Sequence, residues 1–144
     1  MEETIRRLAE KQHGVVGRRQ LWAAGISHHL VQHRVDTGML IRVSPEVLRI
    51  AGAPLTDAEL AMAGVLDSPG AAFLSHISAA AWWGLPGFNI DSPVHTLIPR
   101  QGTERRTRLA IVHYHSSLPI DHLRQLNGVP ITSPALTIFL LAGT

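Results

Sequence analysis

The sequence predicts an α+β fold, and three observations carry that expectation. Residues 3–37 hold short blocks of apolar residues at helical spacing, separated by Gly14 and Gly25. Residues 39–50, "MLIRVSPEVLRI", are two β-prone runs around a three-residue loop, a hairpin pattern. Beyond residue 90, β-rich segments and an Asn-Gly hairpin signal stand among capped helices.

In the first block Ile5, Leu8 and Ala9 fall at i, i+3 and i+4, the stripe of a short helix over 3–12 that Gly14 ends. Val15 and Val16 form a brief extended link. Residues 17–24, "GRRQLWAA", form a second short helix with Leu21 and Trp22 inward and Arg18 and Arg19 outward. Gly25 stands at its C′ position. Ser27 is placed to cap a third helix. There Leu30, Val31 and Val35 make the buried stripe, flanked by Ile26 and Met39, and Gly38 closes it. His29, Gln32, His33 and Asp36 share the opposite face, with His28 beside them. In the hairpin, alternation puts Ile41 and Val43 on one face and Arg42 on the other. Leu48 and Ile50 share a face in the return strand, with Arg49 opposite. Helix, helix–turn–helix and hairpin in this order make a winged helix-turn-helix.

Residues 51–54, "AGAP", read as a junction. It divides the chain into a winged-helix domain, residues 1–52, and a small mixed α+β domain, residues 53–144. Thr56 caps a helix to about Leu66, with Asp57 and Glu59 in its first turn. Pro69 and Gly70 stop it. "AAFL" is a short apolar segment, and "SHISAAAWWGL" a helix capped by Ser75. Trp82 and Trp83 read as core or interface anchors. Residues 94–98 and 109–114 are strand candidates joined by an Arg-rich loop, 100–108. Asn127-Gly128 marks a tight hairpin. Ser133 and Pro134 start a final helix, expected to run to Thr144.

The chain has 144 residues, 45% of them hydrophobic, as folded globular proteins do. Formal charge is +2, unevenly spread: residues 11–50 carry +4 and residues 53–144 carry −1. Such asymmetry is expected of a polyanion-binding module beside a neutral one. There are no cysteines, which excludes disulfides, thiolate metal sites and cysteine nucleophiles. The first residues, "MEETIRRLAEKQ", lack a signal peptide's apolar core. Residues 68–90 lack formal charge but are too polar and too broken by Gly and Pro to span a membrane. A cytoplasmic location is expected, with no membrane association.

A recognition helix at 27–37 would enter the major groove of double-stranded DNA. Gln32 would bond an adenine edge, Arg34 would take phosphate or guanine, and Ser27, His28, His29 and His33 would face phosphates or base acceptors. Arg18, Arg19, Arg42 and Arg49 would hold phosphates and set the register. The plainer alternative is a polar helix face that meets water or another protein. His29 and His33 have the i, i+4 spacing of two zinc ligands, but Leu30 stands where a metalloprotease helix needs glutamate. His113, His115 and His95 could share a sheet face; no carboxylate is fixed beside them by the local pattern. Ser75-His76 and Ser78 lack the glycines of a nucleophile elbow. Arg100, Arg105, Arg106 and Arg108 read first as a solvated loop and second as a further polyanion contact. No catalytic residue, metal site or cofactor is therefore assigned.

"HGVVGRRQLWAAGISHHLVQHRVDTGMLIRVSPEVLRIAGAP" resembles the N-terminal winged helix of the AbiEi family antitoxins, the regulator half of type IV toxin–antitoxin systems. "AAFLSHISAAAWWGL", "PVHTLIPR" and "GVPITSPALTIFLLA" resemble the middle region of actinobacterial members. The resemblance implies a non-enzymatic regulator that binds its own promoter and counters a nucleotidyltransferase-like toxin. Relatives continue into a Vsr-like, endonuclease-type domain; this chain stops before it, so the second domain is expected to be truncated. Three departures stand out. Pro45 and Glu46 occupy a wing tip that is usually basic residue then glycine. Leu136 and Leu140 replace Arg and Asp. Ile138, Phe139, Leu140 and Leu141 then form an apolar run expected to lack a partner within the chain, which suggests a homodimer contact, a lost partner domain or a decaying reading frame. The rival reading is a truncated interaction module that binds a toxin or another chain without DNA.

Overall fold

The computed structural model of the chain describes residues 2–118 and 120–143. Thr144, the expected end of the last helix, lies outside them. Helix α1 (Glu2–Lys11) buries Ile5 and Ala9. Strand β1 (Val15–Gly17) follows, where only a link is expected from sequence. Helices α2 (Arg18–Ala23) and α3 (His28–Asp36) form the helix–turn–helix, and β2 (Leu40–Arg42) and β3 (Val47–Ile50) the wing. The three strands form one antiparallel sheet in the order β1-β3-β2.

This small sheet is buried on both sides. Pairing Val16↔Leu48 and Leu40↔Ile50 puts those residues on the face toward α1, α2 and α3, where they join Leu21, Ile26 and Val31. Val15 and Val47 lie on the reverse face and pack instead with Ala61, Met62, Val65 and Val94 of the second half. Each fully buried valine is worth roughly 1.5–3 kcal/mol relative to exposure. The register keeps the expected alternation in the hairpin and shows which face each residue takes. Arg42 pairs Leu48 and so lies on the α3 side, at its solvent end, while Ile41 pairs Arg49 and is exposed. Trp22 and Met39, expected inward, are also about half exposed. Trp22 sits one position past Leu21 on a six-residue helix with a single inward slot.

Helix α4 (Asp57–Asp67) starts as expected, with Thr56 Oγ1 accepting from Glu59 N–H at 3.1 Å. It runs between the two sheets and is buried almost all round. Gly64 makes that fit possible: a Cβ there would stand 2.1 Å from Val94 Cγ2. The second sheet has the order β6-β7-β5-β4-β9-β8. Its strands are β4 (Phe73–Leu74), β5 (Val94–Ile98), β6 (Arg105–Arg106), β7 (Ala110–Tyr114), β8 (Leu123–Leu126) and β9 (Val129–Thr132). β4 pairs β9 and β5 pairs β7 in parallel; the other pairs are antiparallel. β6 lies inside the loop expected at 100–108. Asn127 and Gly128, at φ 52° and 79°, close the β8–β9 hairpin with Leu126 opposite Val129, the left-handed pair that a two-residue turn needs.

Helix α5 (His76–Trp82) and α6 (Pro134–Ala142) complete the chain. Trp82 and Trp83 anchor that half: their indole N–H groups donate to Leu126 O at 3.0 Å and Thr132 O at 2.8 Å. Ser133 Oγ caps α6 by accepting from Leu136 N–H at 3.1 Å. The apolar run of α6 is split rather than wholly unpartnered: Leu136 and Leu140 pack with Leu97 and Leu118, and Ile138 and Phe139 face outward.

Candidate nucleic-acid interface

Ser27 sets the start of α3: its backbone is extended and its Oγ accepts from Leu30 N–H at 3.2 Å. Val31 is then buried, and Ser27, His28, His29 and His33 are exposed. Gln32 lies among them with its amide already oriented. Its Nε2 donates to Asp36 Oδ1 at 2.9 Å, and its Oε1 accepts from Arg42 Nη2 at 3.1 Å. The wing strand is thereby tied to the exposed face of α3. A base edge would have to exchange for one of those two partners.

Arg18 lies beside this face. It donates to Pro45 O at 3.1 Å, approaches His28 Nδ1 at 3.5 Å and lies over the Trp22 ring at 4.9 Å. The exposed indole thus has a use the helical spacing does not reveal. The other three arginines are held by the fold. Arg19 Nη2 donates to Leu66 O and Ser68 O at the C-terminal end of α4, and its Nε stands 3.8 Å from Glu46. That is favourable at a helix C-terminus, where carbonyls lack partners. Arg49 lies 3.4 Å from the buried Glu59 carboxylate. Arg34 is two positions from Gln32, hence on another side of α3, and lines a hollow with Ile5, Met39 and Leu40. So Arg18, Ser27, His28, His29, Gln32, His33 and Arg42 share one surface, and Arg19, Arg34 and Arg49 do not share it in the same way.

With this geometry in view, residues 3–51 match the family model described as "Transcriptional regulator, AbiEi antitoxin". Over these residues the chain is similar to the AbiEi antitoxin regulators. No curated protein matches the chain. The AbiEi match covers α1 through β3 and stops where the sequence places the junction.

The wing of this AbiEi-like unit has a tip that docks on α4. Ser44 is buried; its Oγ accepts from Glu46 N–H and Val47 N–H and donates to Asp67 Oδ1 at 2.6 Å. Asp67 Oδ2 accepts in turn from Leu109 N–H at 2.9 Å. One buried carboxylate thus joins the tip to both α4 and the start of β7. Glu46 does not have a positive φ, so glycine is not required there. Ser44 and Asp67 were not legible as a pair; a serine heading a turn was the sole local signal.

Outside the matched residues lies a histidine group. His95 Nδ1 and His113 Nε2 are 2.9 Å apart, and His113 Nδ1 is 3.1 Å from Glu104. Glu104 only accepts, so the neutral relay has His113 donating from Nδ1 and His95 donating to His113. His115, which could have shared their sheet face, is exposed. The third ring is His76, stacked on His113 with centroids 4.0 Å apart. Burial, then the neighbouring His113 and His95, lowers the His76 pKa to about 4. Burial and His113 lower His95, and burial lowers His113 against the opposing pull of Glu104. No group of three or more His, Asp or Glu among the described residues is placed to hold a metal ion. Ser75 stands at the N-cap position of α5 but makes no side-chain cap bond; its buried Oγ pairs with His76 Nδ1 at 2.9 Å. Among the described residues no helix is long and apolar enough to cross a membrane.

Proposed function

We propose that the chain binds duplex DNA by laying α3 in the major groove, regulates its own operon and counters a nucleotidyltransferase-like toxin. One observation carries the DNA reading: α3, capped by Ser27 and backed by Val31, presents His28, His29, Gln32 and His33 to solvent with Arg42 of the wing fixed to Gln32. Ser27, His28, His29, Gln32 and His33 face base edges and phosphates, and Arg18 and Arg42 hold the backbone. Arg19, Arg34 and Arg49 act chiefly by fixing that surface to its supports. The sequence-reading DNA contacts fall to residues 1–52, and the toxin contact to residues 53–144.

The test is fluorescence anisotropy on duplexes from the chain's own upstream region, titrated at several salt concentrations. Four to six phosphate contacts predict a log–log slope of about −4 to −5. Arg18→Ala weakens binding to every sequence alike, whereas Gln32→Ala relaxes sequence preference. Equal loss on all sequences for the Gln32 change would remove its assignment to base readout. A second reading rests on the exposed pair Ile138 and Phe139 of α6. It is a protein contact, either a homodimer or a partner chain, made without DNA. Absence of any shift on DNA at low salt, together with loss of self-association in Phe139→Glu, would favour it.

A further inference from the structure

An open cleft of about 520 Å³ separates the wing from the edge of the second sheet. Arg19, Pro45 and Glu46 line one wall, and Arg105, Arg106 and Arg108 the other. Pro45 is the residue whose carbonyl receives Arg18, so the cleft continues from the N-terminal ends of α2 and α3. We infer that Arg105 and Arg108 form a second phosphate-binding element, which grips duplex DNA beside the stretch that α3 reads. The inference rests on the DNA reading above and extends it to the half of the chain outside the AbiEi match.

Three features support it. Both side chains are exposed and stand on a short edge strand and its turn. The turn is fixed: Thr107 N–H donates to Ala110 O at 2.8 Å, and Ala110 N–H donates to Thr107 Oγ1 at 3.0 Å. It is also fixed relative to the wing, because Asp67 holds Leu109 N–H with one oxygen and Ser44 with the other. Two cationic surfaces held in one frame lose little freedom when both bind one rigid polyanion. The opposing charges do not cancel this. Asp67 is buried and hydrogen-bonded, and Glu46 stands beside Arg19. Arg106 lines the cleft too, but its charge also bears on His95, so it is left out of the pair.

The experiment compares the full chain with the double variants Arg105→Gln/Arg108→Gln and Arg105→Lys/Arg108→Lys. Anisotropy is measured against a specific and an unrelated duplex over a salt series, with footprints of each complex. The glutamine variant is expected to lose roughly tenfold to a hundredfold affinity at about 0.1 M salt on both duplexes, with a slope shallower by about 2. Its footprint should shorten on one flank, while the lysine variant keeps slope and footprint. Wild-type binding with an unchanged slope and footprint in the glutamine variant overturns this inference alone, as does a lysine variant that loses binding as fully as glutamine. Failure of the wild-type chain to bind any duplex at low salt overturns the DNA reading and this extension together.

Discussion

Arg49 sits on a wing strand, where a phosphate contact is expected, yet its guanidinium lies 3.4 Å from the buried carboxylate of Glu59. Arg49→Ala therefore leaves a buried charge without its cation, and is expected to cost roughly 3 kcal/mol. Urea unfolding should show that loss before any DNA is added; a midpoint like the wild type's would return Arg49 to the role of a plain phosphate contact. Asp67 makes a second case. Asp67→Ala strands Leu109 N–H and the Ser44 hydroxyl, and the expected cost is about 2–3 kcal/mol. Neither pairing could be read from the sequence, since Ser44 and Asp67 or Arg49 and Glu59 meet only after the wing has folded onto α4. The local partners were legible: Ser27, Thr56 and Ser133 each cap the helix that their spacing announces.

At the scale of elements, the helices and the Asn-Gly hairpin follow from short-range pattern, and so did the run from α1 to β3. What pattern could not supply was the second face of the small sheet. "VV" in β1 is ambiguous until one knows that α4 covers Val15 while α1 to α3 cover Val16. Pattern likewise alternates Ile41 and Arg42 without saying which of the two lies on the α3 side. Helix α4 carries the clearest test. Gly64→Ala gains up to about 1 kcal/mol in helix propensity but drives a methyl to 2.1 Å from Val94 Cγ2. Overpacking should dominate, for a net loss of about 1–2 kcal/mol. Adding Val94→Ala should recover part of it, and a thermal-melt double-mutant cycle reads the coupling; strict additivity would mean the two do not touch.

The whole molecule should lose stability in acid, and the histidine group gives the sign. His76, His95 and His113 all have pKa values below the ordinary 6.5 in the folded chain, so the unfolded chain takes up protons first. Their contribution is present above about 6.5 and is lost as pH falls toward the His76 value of about 4. The melting temperature should drop across that window, at roughly 2–5 °C for each kcal/mol lost. His76→Asn should flatten the slope; a variant melting with the wild-type pH profile would exclude the ring as its source. The two-sided sheet has its own consequence at this scale. A boundary near residue 52 looks in sequence like a place where evolution, or an engineer, could cut and transplant a cassette. In three dimensions the cut would run through an interior and bare Val15 and Val47. The N-terminal unit is thus not portable: to graft it elsewhere, the recipient must bring its own wall to stand where α4 stands.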